Sequence, residues 1–418
     1  MVTALMGAPA LTPPLPFALP AQVGLCEKRS ARLLAVLQSE IDRQRLPGAV
    51  VLVARHGKVA LFESLGAQDP ATSAAMAKNS IFRIYSMTKP VVSVAIMMLM
   101  EQGQLLLGDP VAKYLPEFAS QHVAVLDDAG KSQTLRPVRR DATVHDLLRH
   151  TAGLTYEFMG NLPVHRQYAQ SRIGSRQRSS AAFSKALAAL PLLADPGSVW
   201  EYSRATDVLG RLVEVLSGQT LAEFLQEKIL GPLGMHETAF SVPAAHHGRI
   251  AEPYAHDPDG GVPMQMIDIR SEAALASGGG GLASTAMDYA RFLQFMLNRG
   301  ELDGVRLLGP HTVDFMTADH LGDIPVNPVG ASADLLPPGH GFGLGFAVRT
   351  AAGLAAVPGS VGLYYWGGIA GTTFFVDPSL SMFALMMVQA PSQREYFRPL
   401  FRSLVYAALL DKPNPAKA

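Results

Sequence analysis

The chain has 418 residues, of which 48% are hydrophobic and 17% charged, a composition that excludes disorder over most of its length. Thirty-five basic residues balance 35 acidic ones, so no positive field marks the chain as a nucleic-acid binder. A single cysteine, Cys26, excludes an internal disulfide and a thiolate metal cluster.

Residues 1–25 are apolar and carry no charge before Glu27, and Pro9, Pro13, Pro14, Pro16 and Pro20 break any helix there. They read as an irregular arm lying on the body rather than as an export signal, and cytoplasmic residence is the expectation that follows. Leu33, Leu34, Val36 and Leu37 among charged neighbours predict a helix over 27–45. Residues 50–54 and 59–62 predict two strands joined by the turn Arg55-His56-Gly57-Lys58. Residues 87–102 predict a mostly buried helix ending at Gly103. The most apolar stretches, 91–100 and 382–388, fall short of the ~18 residues that a membrane span needs, so no membrane partner is expected.

Residues 119–142 are polar and predict an exposed excursion, and Thr143-Val-His-Asp146 is a capping-box pattern opening a short helix. Residues 157–180 carry Arg166, Arg172, Arg176 and Arg178 with little periodicity, which fits either a mobile flap or solvated surface. Helices follow over 206–216 and 221–229, separated by Ser217-Gly218. A run of glycines at 278–281 precedes a helix opened by Thr285-Ala-Met-Asp288. Residues 319–341 are too rich in proline and glycine for regular structure. Residues 363–366, 372–376 and 382–388 predict antiparallel strands, and a helix runs from Pro399 to about Leu410. Strands at both ends and helices between them pack most simply as one antiparallel sheet from both termini, flanked by helices, with a helical region inserted.

Three places could carry chemistry. Ser86-Met-Thr-Lys89 sits where a strand-like run meets the buried helix. Residues three apart share a helix face, so the Ser86 hydroxyl and the Lys89 amine can meet. The helix N-terminus favours an alkoxide, and a lysine removed from water is expected to have a lowered pKa and accept the serine proton. The competing reading makes Ser86 a helix cap and Lys89 a surface charge; the apolar run after Lys89 argues for burial. Tyr202, in Tyr202-Ser203-Arg204, can relay a proton or simply be a half-buried, hydrogen-bonded phenol. Trp366-Gly367-Gly368-Ile369 lets another backbone come close and offers strand-edge N–H groups to an oxyanion, or is a bulged strand with a packed tryptophan.

Serine, lysine and tyrosine in this order resemble the serine beta-lactamase and penicillin-binding-protein superfamily, and more closely its class C beta-lactamase-like esterases, the family VIII carboxylesterases. The likeness runs from about residue 30 to 410. It includes Asp109-Pro-Val-Ala-Lys-Tyr-Leu-Pro116, Thr143-Val-His-Asp-Leu-Leu-Arg-His-Thr-Ala-Gly-Leu154, residues 196–210, Gly231-Pro-Leu-Gly-Met235 and Gly279-Gly-Gly-Leu-Ala-Ser-Thr-Ala-Met-Asp-Tyr289. The resemblance implies an α/β (α+β) beta-lactamase-like fold. An N-terminal arm (1–25), an α/β sheet domain (26–115 and 268–418) and a mainly helical domain (116–267) would enclose a site between the last two. It implies Ser86 as nucleophile, Lys89 as its base and Tyr202 as proton relay. The oxyanion hole would be the N–H groups of Ser86 and Ile369, with Trp366, Gly367 and Gly368 against the substrate. Neither metal nor cofactor is implied, and the partner is a small-molecule ester.

Two departures bear on substrate. Trp366-Gly-Gly stands where beta-lactamases have Lys-Thr-Gly, whose lysine helps bind the drug carboxylate. An indole is no cation, so neutral esters are the expectation, with weak beta-lactam hydrolysis as a side activity. Arg204 stands where those enzymes have asparagine, leaving Ser203 or Asp207 as alternative hydrogen-bond partners. The chain contains no G-x-S-x-G, H-E-x-x-H or P-loop motif, and His246-His247 in a polar loop read as solvated. Beside the esterase stand two alternatives: an acyltransferase using the same residues, and a non-catalytic binding or assembly protein, against which the complete Ser86, Lys89 and Tyr202 set argues.

Overall fold

The structure is a computed structural model that describes residues 14–127, 130–260 and 265–410. Strands β1 (Gly48–Arg55) and β2 (Lys58–Asp69) form a hairpin. Its two turn residues, His56 (φ 52°) and Gly57 (φ 74°), are both left-handed, which matches the twist of the flanking strands. After β3 (Ala74–Ala75) the chain leaves the sheet and returns as β4 (His340–Phe342), β5 (Ala347–Arg349), β6 (Tyr364–Gly367), β7 (Thr373–Asp377) and β8 (Met382–Met387). The spatial order is β4-β5-β6-β7-β8-β1-β2-β3, with every neighbouring pair antiparallel. The two chain ends meet in the middle of the sheet, where β1 pairs β8 from Val50↔Met387 to Arg55↔Met382.

The helices that frame the sheet and the site are α1 (Glu27–Asp42), α2 (Thr88–Glu101), α3 (Val144–Leu148), α4 (Ala205–Ser217), α5 (Ala286–Leu297) and α6 (Arg394–Ala407). Alternation along the strands assigns them to faces. Val51, Val53, Ala384 and Met386 point to one side, against Leu33 and Leu37 of α1 and Phe397, Phe401 and Val405 of α6. Val50, Leu52, Phe383 and Leu385 point to the other, into the larger core that includes α2 and α5. Every residue of α2 from Thr88 to Leu99 is buried, as a helix apolar on all sides must be. It packs against α4 of the helical middle region.

The elements depart from the sequence pattern in three places. The excursion at 119–142 contains a hairpin of His122–Leu126 and Gln133–Pro137; Val125, Leu126 and Leu135 are exposed, so no apolar face announced it. Within 157–180 a helix spans Pro163–Gln170, burying Val164, His165 and Tyr168 among the arginines. Helix α6 starts at Arg394, five residues before Pro399, which sits inside it. Proline costs the N–H bond to Glu395, but that carbonyl belongs to an exposed residue, so the helix continues through it. Of the arm, residues 1–13 lie outside those described. Residues 14–25 lie on the body: the Ala18 N–H donates to Val59 at 3.0 Å, and the Val59 N–H to Pro16 at 2.7 Å.

The predicted capping box is present: Thr143 Oγ1 accepts from the Asp146 N–H at 3.2 Å, and Asp146 Oδ2 accepts from the Thr143 N–H at 3.0 Å. Asp146 does more than cap. Its fully buried carboxylate also takes hydrogen bonds from Arg140, Arg149 and Thr151, fixing the loop that leads to Tyr156. Burial pushes its pKa up, but these donors outweigh burial and the net shift is down. A depressed pKa contributes stability above the unfolded value of about 4 and loses it as pH falls. Asp146→Asn is therefore expected to destabilise by about 3 kcal/mol at neutral pH. The gap to wild type narrows in urea titrations run progressively below about pH 4.

Candidate active site

Ser86 lies in a 3-10 turn, Tyr85–Met87, that feeds directly into α2. Tyr85 is left-handed (φ 44°), a conformation that costs a residue with a Cβ about 1–2 kcal/mol. Its hydroxyl offsets part of that by accepting from the Ile267 N–H at 2.9 Å. Two further bonds seat the turn. Tyr289 Oη donates to the Met87 carbonyl at 2.8 Å, and the Leu282 N–H donates to Thr88 Oγ1 at 3.1 Å.

Lys89 is fully buried one residue into α2, with Nζ 3.4 Å from Ser86 Oγ. Two more acceptors complete its shell: Tyr156 Oη at 2.9 Å and the Gly279 carbonyl at 2.6 Å. Three acceptors suit the three protons of an ammonium. Burial lowers the Lys89 pKa, but the phenols of Tyr156 and Tyr202 facing it outweigh burial, and the net direction is upward. The expected depression by burial is thus corrected: the resting lysine carries its proton.

The glycine run belongs to this shell. The Gly279 N–H donates to Asp207 Oδ1 at 2.9 Å, which fixes the peptide whose carbonyl meets Lys89. A Cβ on Gly279 would lie 2.7 Å from Asp207 Oδ2 and 3.0 Å from Tyr156 Oη, and one on Gly278 would lie 2.5 Å from the Thr206 carbonyl. The run is a close-packed turn against α4. Arg204 points away from Ser86, pairing with Glu157 at 2.6 Å and Asp207 at 3.5 Å, 4.9 Å from the Tyr156 ring centre. Of the alternatives left by the missing asparagine, Asp207 holds the glycine turn, while Ser203 Oγ lies 3.1 Å from His150 Nδ1 behind the site.

The Tyr202 ring centre is 4.6 Å from Lys89 Nζ. Its oxygen accepts from Trp366 Nε1 at 3.3 Å, so the indole on β6 holds the phenol. Two residues on, a Cβ at Gly368 would lie 2.4 Å from the Ile84 carbonyl. Glycine is what lets the strand end close onto the turn carrying Ser86. The Gly368 carbonyl accepts from Arg398 Nη2 of α6 and from the Gly371 N–H at 3.0 Å. In a trans peptide the next N–H points the opposite way. Ile369 N–H is thereby turned from Arg398, and no acceptor among the described residues meets it.

Ser86, Tyr202, Trp366, Gly367 and Ile369 share the lining of one cavity of about 330 Å³. Phe158, Met159, Ala331, Leu335 and Pro337 add an apolar wall from the two irregular segments, and α6 adds Arg394, Arg398 and Arg402. Lys89 lies behind Ser86, and Gly368 is packed on Ile84 outside the wall. Tyr156 and Arg398 complete the site without having been singled out as functional from sequence. Tyr156 follows the Thr151-Ala-Gly-Leu154 motif by two residues, and Arg394 and Arg398 fall ahead of Pro399, the expected helix start.

A family model described as Beta-lactamase matches residues 33–408. Among curated proteins, Protein Rv1367c of Mycobacterium tuberculosis (strain ATCC 25618 / H37Rv) is 36% identical over 361 residues, 85% of this chain and 88% of that one. Esterase EstB of Burkholderia gladioli is 33% identical over 382 residues, 86% and 90% of the two chains. Among solved structures, EstCE1, described as a hydrolase with promiscuous acyltransferase activity, superposes with a TM-score of 0.75 at 29% identity, covering 91% of this chain and 99% of that one.

Two substitutions probe the geometry. Gly368→Ala forces the strand end off the Ile84 carbonyl and is expected to lower kcat for any acyl substrate by about 100-fold, the scale of losing one oxyanion donor, with the thermal midpoint only modestly reduced. Tyr156→Phe removes an acceptor from the buried ammonium and is expected to cut kcat by roughly tenfold with KM little changed. Steady-state kinetics on one chromogenic ester reads both.

Proposed function

The chain belongs to the beta-lactamase family, and from that premise we propose that it is a serine carboxylesterase that hydrolyses short- to medium-chain esters through an acyl-enzyme on Ser86. The observation that carries the reading is a serine hydroxyl 3.4 Å from a fully buried lysine, lining a cavity beside a backbone N–H, that of Ile369, which no acceptor among the described residues meets.

The Lys89 ammonium favours negative charge on the Ser86 oxygen that it faces. Ser86 Oγ attacks the ester carbonyl as its proton enters the Lys89–Tyr202 pair on the Lys89 side and a proton already held by the pair moves from Tyr202 toward the alcohol oxygen, so neither group gains net charge. The developing oxyanion is met by the N–H groups of Ser86 and Ile369, the second aimed by the Arg398 bond to Gly368. The C–O bond to the alcohol breaks, and the pair returns the proton to the departing oxygen. Water repeats the sequence on the acyl-enzyme: its proton enters the pair, Ser86 leaves protonated, and the acid is released. Where beta-lactamases have a lysine, Trp366 brings no cation of its own, and its indole N–H donates to Tyr202. The relationship to Esterase EstB supports the ester reading.

A second reading, transfer of the acyl group to an alcohol, draws on EstCE1 and on the apolar wall of Phe158, Met159 and Leu335, which suits an organic acceptor. One experiment addresses both. With p-nitrophenyl butyrate, wild type is expected to turn over and Ser86→Ala to lose ~10³-fold or more, while nitrocefin is hydrolysed far more slowly by wild type. Added short-chain alcohols give butyrate esters in place of butyrate if transfer competes with water. Unchanged turnover in Ser86→Ala, or nitrocefin as the faster substrate, would sink the esterase reading.

A further inference from the structure

Arg394, Arg398 and Arg402 stand at i, i+4 and i+8 on α6 and line the cavity together. Arg394 is accounted for: it pairs with Glu395 at 2.9 Å. The other two are not. Arg398 is half-buried and Arg402 only 7% exposed, and neither forms an ion pair among the described residues. Arg398 Nη2 donates to the Gly368 carbonyl and, at 3.5 Å, to that of Thr372, and its Nε is buried without a partner among the described residues. Arg402 makes no hydrogen bond to the described protein; its guanidinium carbon lies 4.3 Å from the Tyr365 ring centre and 5.4 Å from that of Phe375.

The groups around them do not neutralise this charge. Arg349 of β5 approaches Arg402 and adds a further cation, with one donor on the Val357 carbonyl at 2.7 Å. His340 is held neutral near this wall, its pKa lowered to about 4 by burial and by Arg402 and Arg349. Asp377, the acid on the Arg402 side, accepts from Tyr406 and from the Ser360 N–H at 3.2 Å. The cavity lining itself sets three arginines against two acids, Asp334 and Glu395. Burial lowers the pKa of both inner arginines, that of Arg398 to about 10, yet a guanidinium keeps its proton at neutral pH. Holding such charges away from water is costly, and a bound anion relieves the cost.

We propose that the cavity is built for esters that carry a carboxylate, gripped by Arg402 together with Arg398 while Ser86 attacks the ester carbonyl. The proposal rests on the esterase reading and specifies its substrate class. It revises the expectation of neutral esters: the cation missing at Trp366 is supplied from α6. The planar fork of a guanidinium matches a carboxylate, and its other face remains stacked on Tyr365. Arg402 stands one helical turn, about 6 Å, beyond Arg398, which itself holds the oxyanion peptide. The acid is therefore separated from the scissile carbonyl by a few carbon atoms, as in a half-ester of a dicarboxylic acid. Hydrolysis releases the free diacid and the alcohol.

The test compares kcat/KM for two matched pairs. Mono-p-nitrophenyl glutarate against p-nitrophenyl pentanoate puts the acid on the acyl side, and p-carboxyphenyl butyrate against phenyl butyrate puts it on the alcohol side. In at least one pair the acidic ester is expected to be preferred by about tenfold or more. That preference collapses in Arg402→Gln through KM and returns in Arg402→Lys. If Arg402→Gln does not fold, inhibition of wild type by glutarate decides: it is expected to be competitive and weakened by salt. Parity in both pairs, a preference that survives in folded Arg402→Gln, or no glutarate inhibition overturns the proposal while leaving the esterase reading standing. Failure of wild type to hydrolyse any of the four esters fells the esterase reading instead.

Discussion

The site is organised by one constraint: a lysine ammonium with no water around it must be given acceptors. Lys89 is fully buried because the whole first part of α2 is buried. An isolated charge there is costly unless each donor is met. The acceptors come from distant parts of the chain: Ser86 from the preceding turn, Tyr156 from the loop after α3, and Gly279 from the glycine turn before α5. Each is fixed by its own support. The Asp146 carboxylate ties down the loop leading to Tyr156, and Asp207 holds the Gly279 peptide. Satisfying the buried cation brings together the oxygen atoms that acyl transfer needs near one another.

The second half of the site is set by how closely two backbones can approach. The end of β6 reaches the Ser86 turn only because Gly368 has no Cβ to strike the Ile84 carbonyl at 2.4 Å. Closeness alone does not aim an N–H. Arg398 does that from α6 by holding the carbonyl of the same peptide. The Ile369 N–H is therefore positioned by a strand of the central sheet on one side and by a helix packed on that sheet on the other.

Much of this was legible in the sequence because it rests on local rules. The short, continuous apolar runs of β1 and β8 and the left-handed His56-Gly57 turn point to the sheet, and Thr143 and Thr285 cap the helices their spacing announced. The family motifs placed Ser86, Lys89, Tyr202 and Trp366, and the structure brings them to one place. Long-range electrostatics was not legible. Desolvation of Lys89 could be anticipated, but the opposing effect of two phenols could not, since Tyr156 lies 67 positions away in sequence. The Arg398 contact was hidden by a local rule applied too strictly. Reading Pro399 as a helix start left Arg394 and Arg398 outside α6 and broke up a stripe of three.

That stripe shows how tightly fold and site are joined. Phe397, Phe401 and Val405 repeat every four residues and pack on the sheet. Arg394, Arg398 and Arg402 repeat with the same spacing and line the cavity. Each of the two inner arginines is offset by one residue, about 100° of helix rotation, from a phenylalanine. The hydrophobic face thus sets the angle at which the guanidinium groups meet the cavity. Rotating α6 by one residue would turn the aromatic side chains out of the core, and would also release the Gly368 carbonyl and withdraw both cations. The energy that holds α6 in register comes from apolar burial against β1, β7 and β8. The orientation of the Gly368–Ile369 peptide and the charge that lines the cavity follow from that packing.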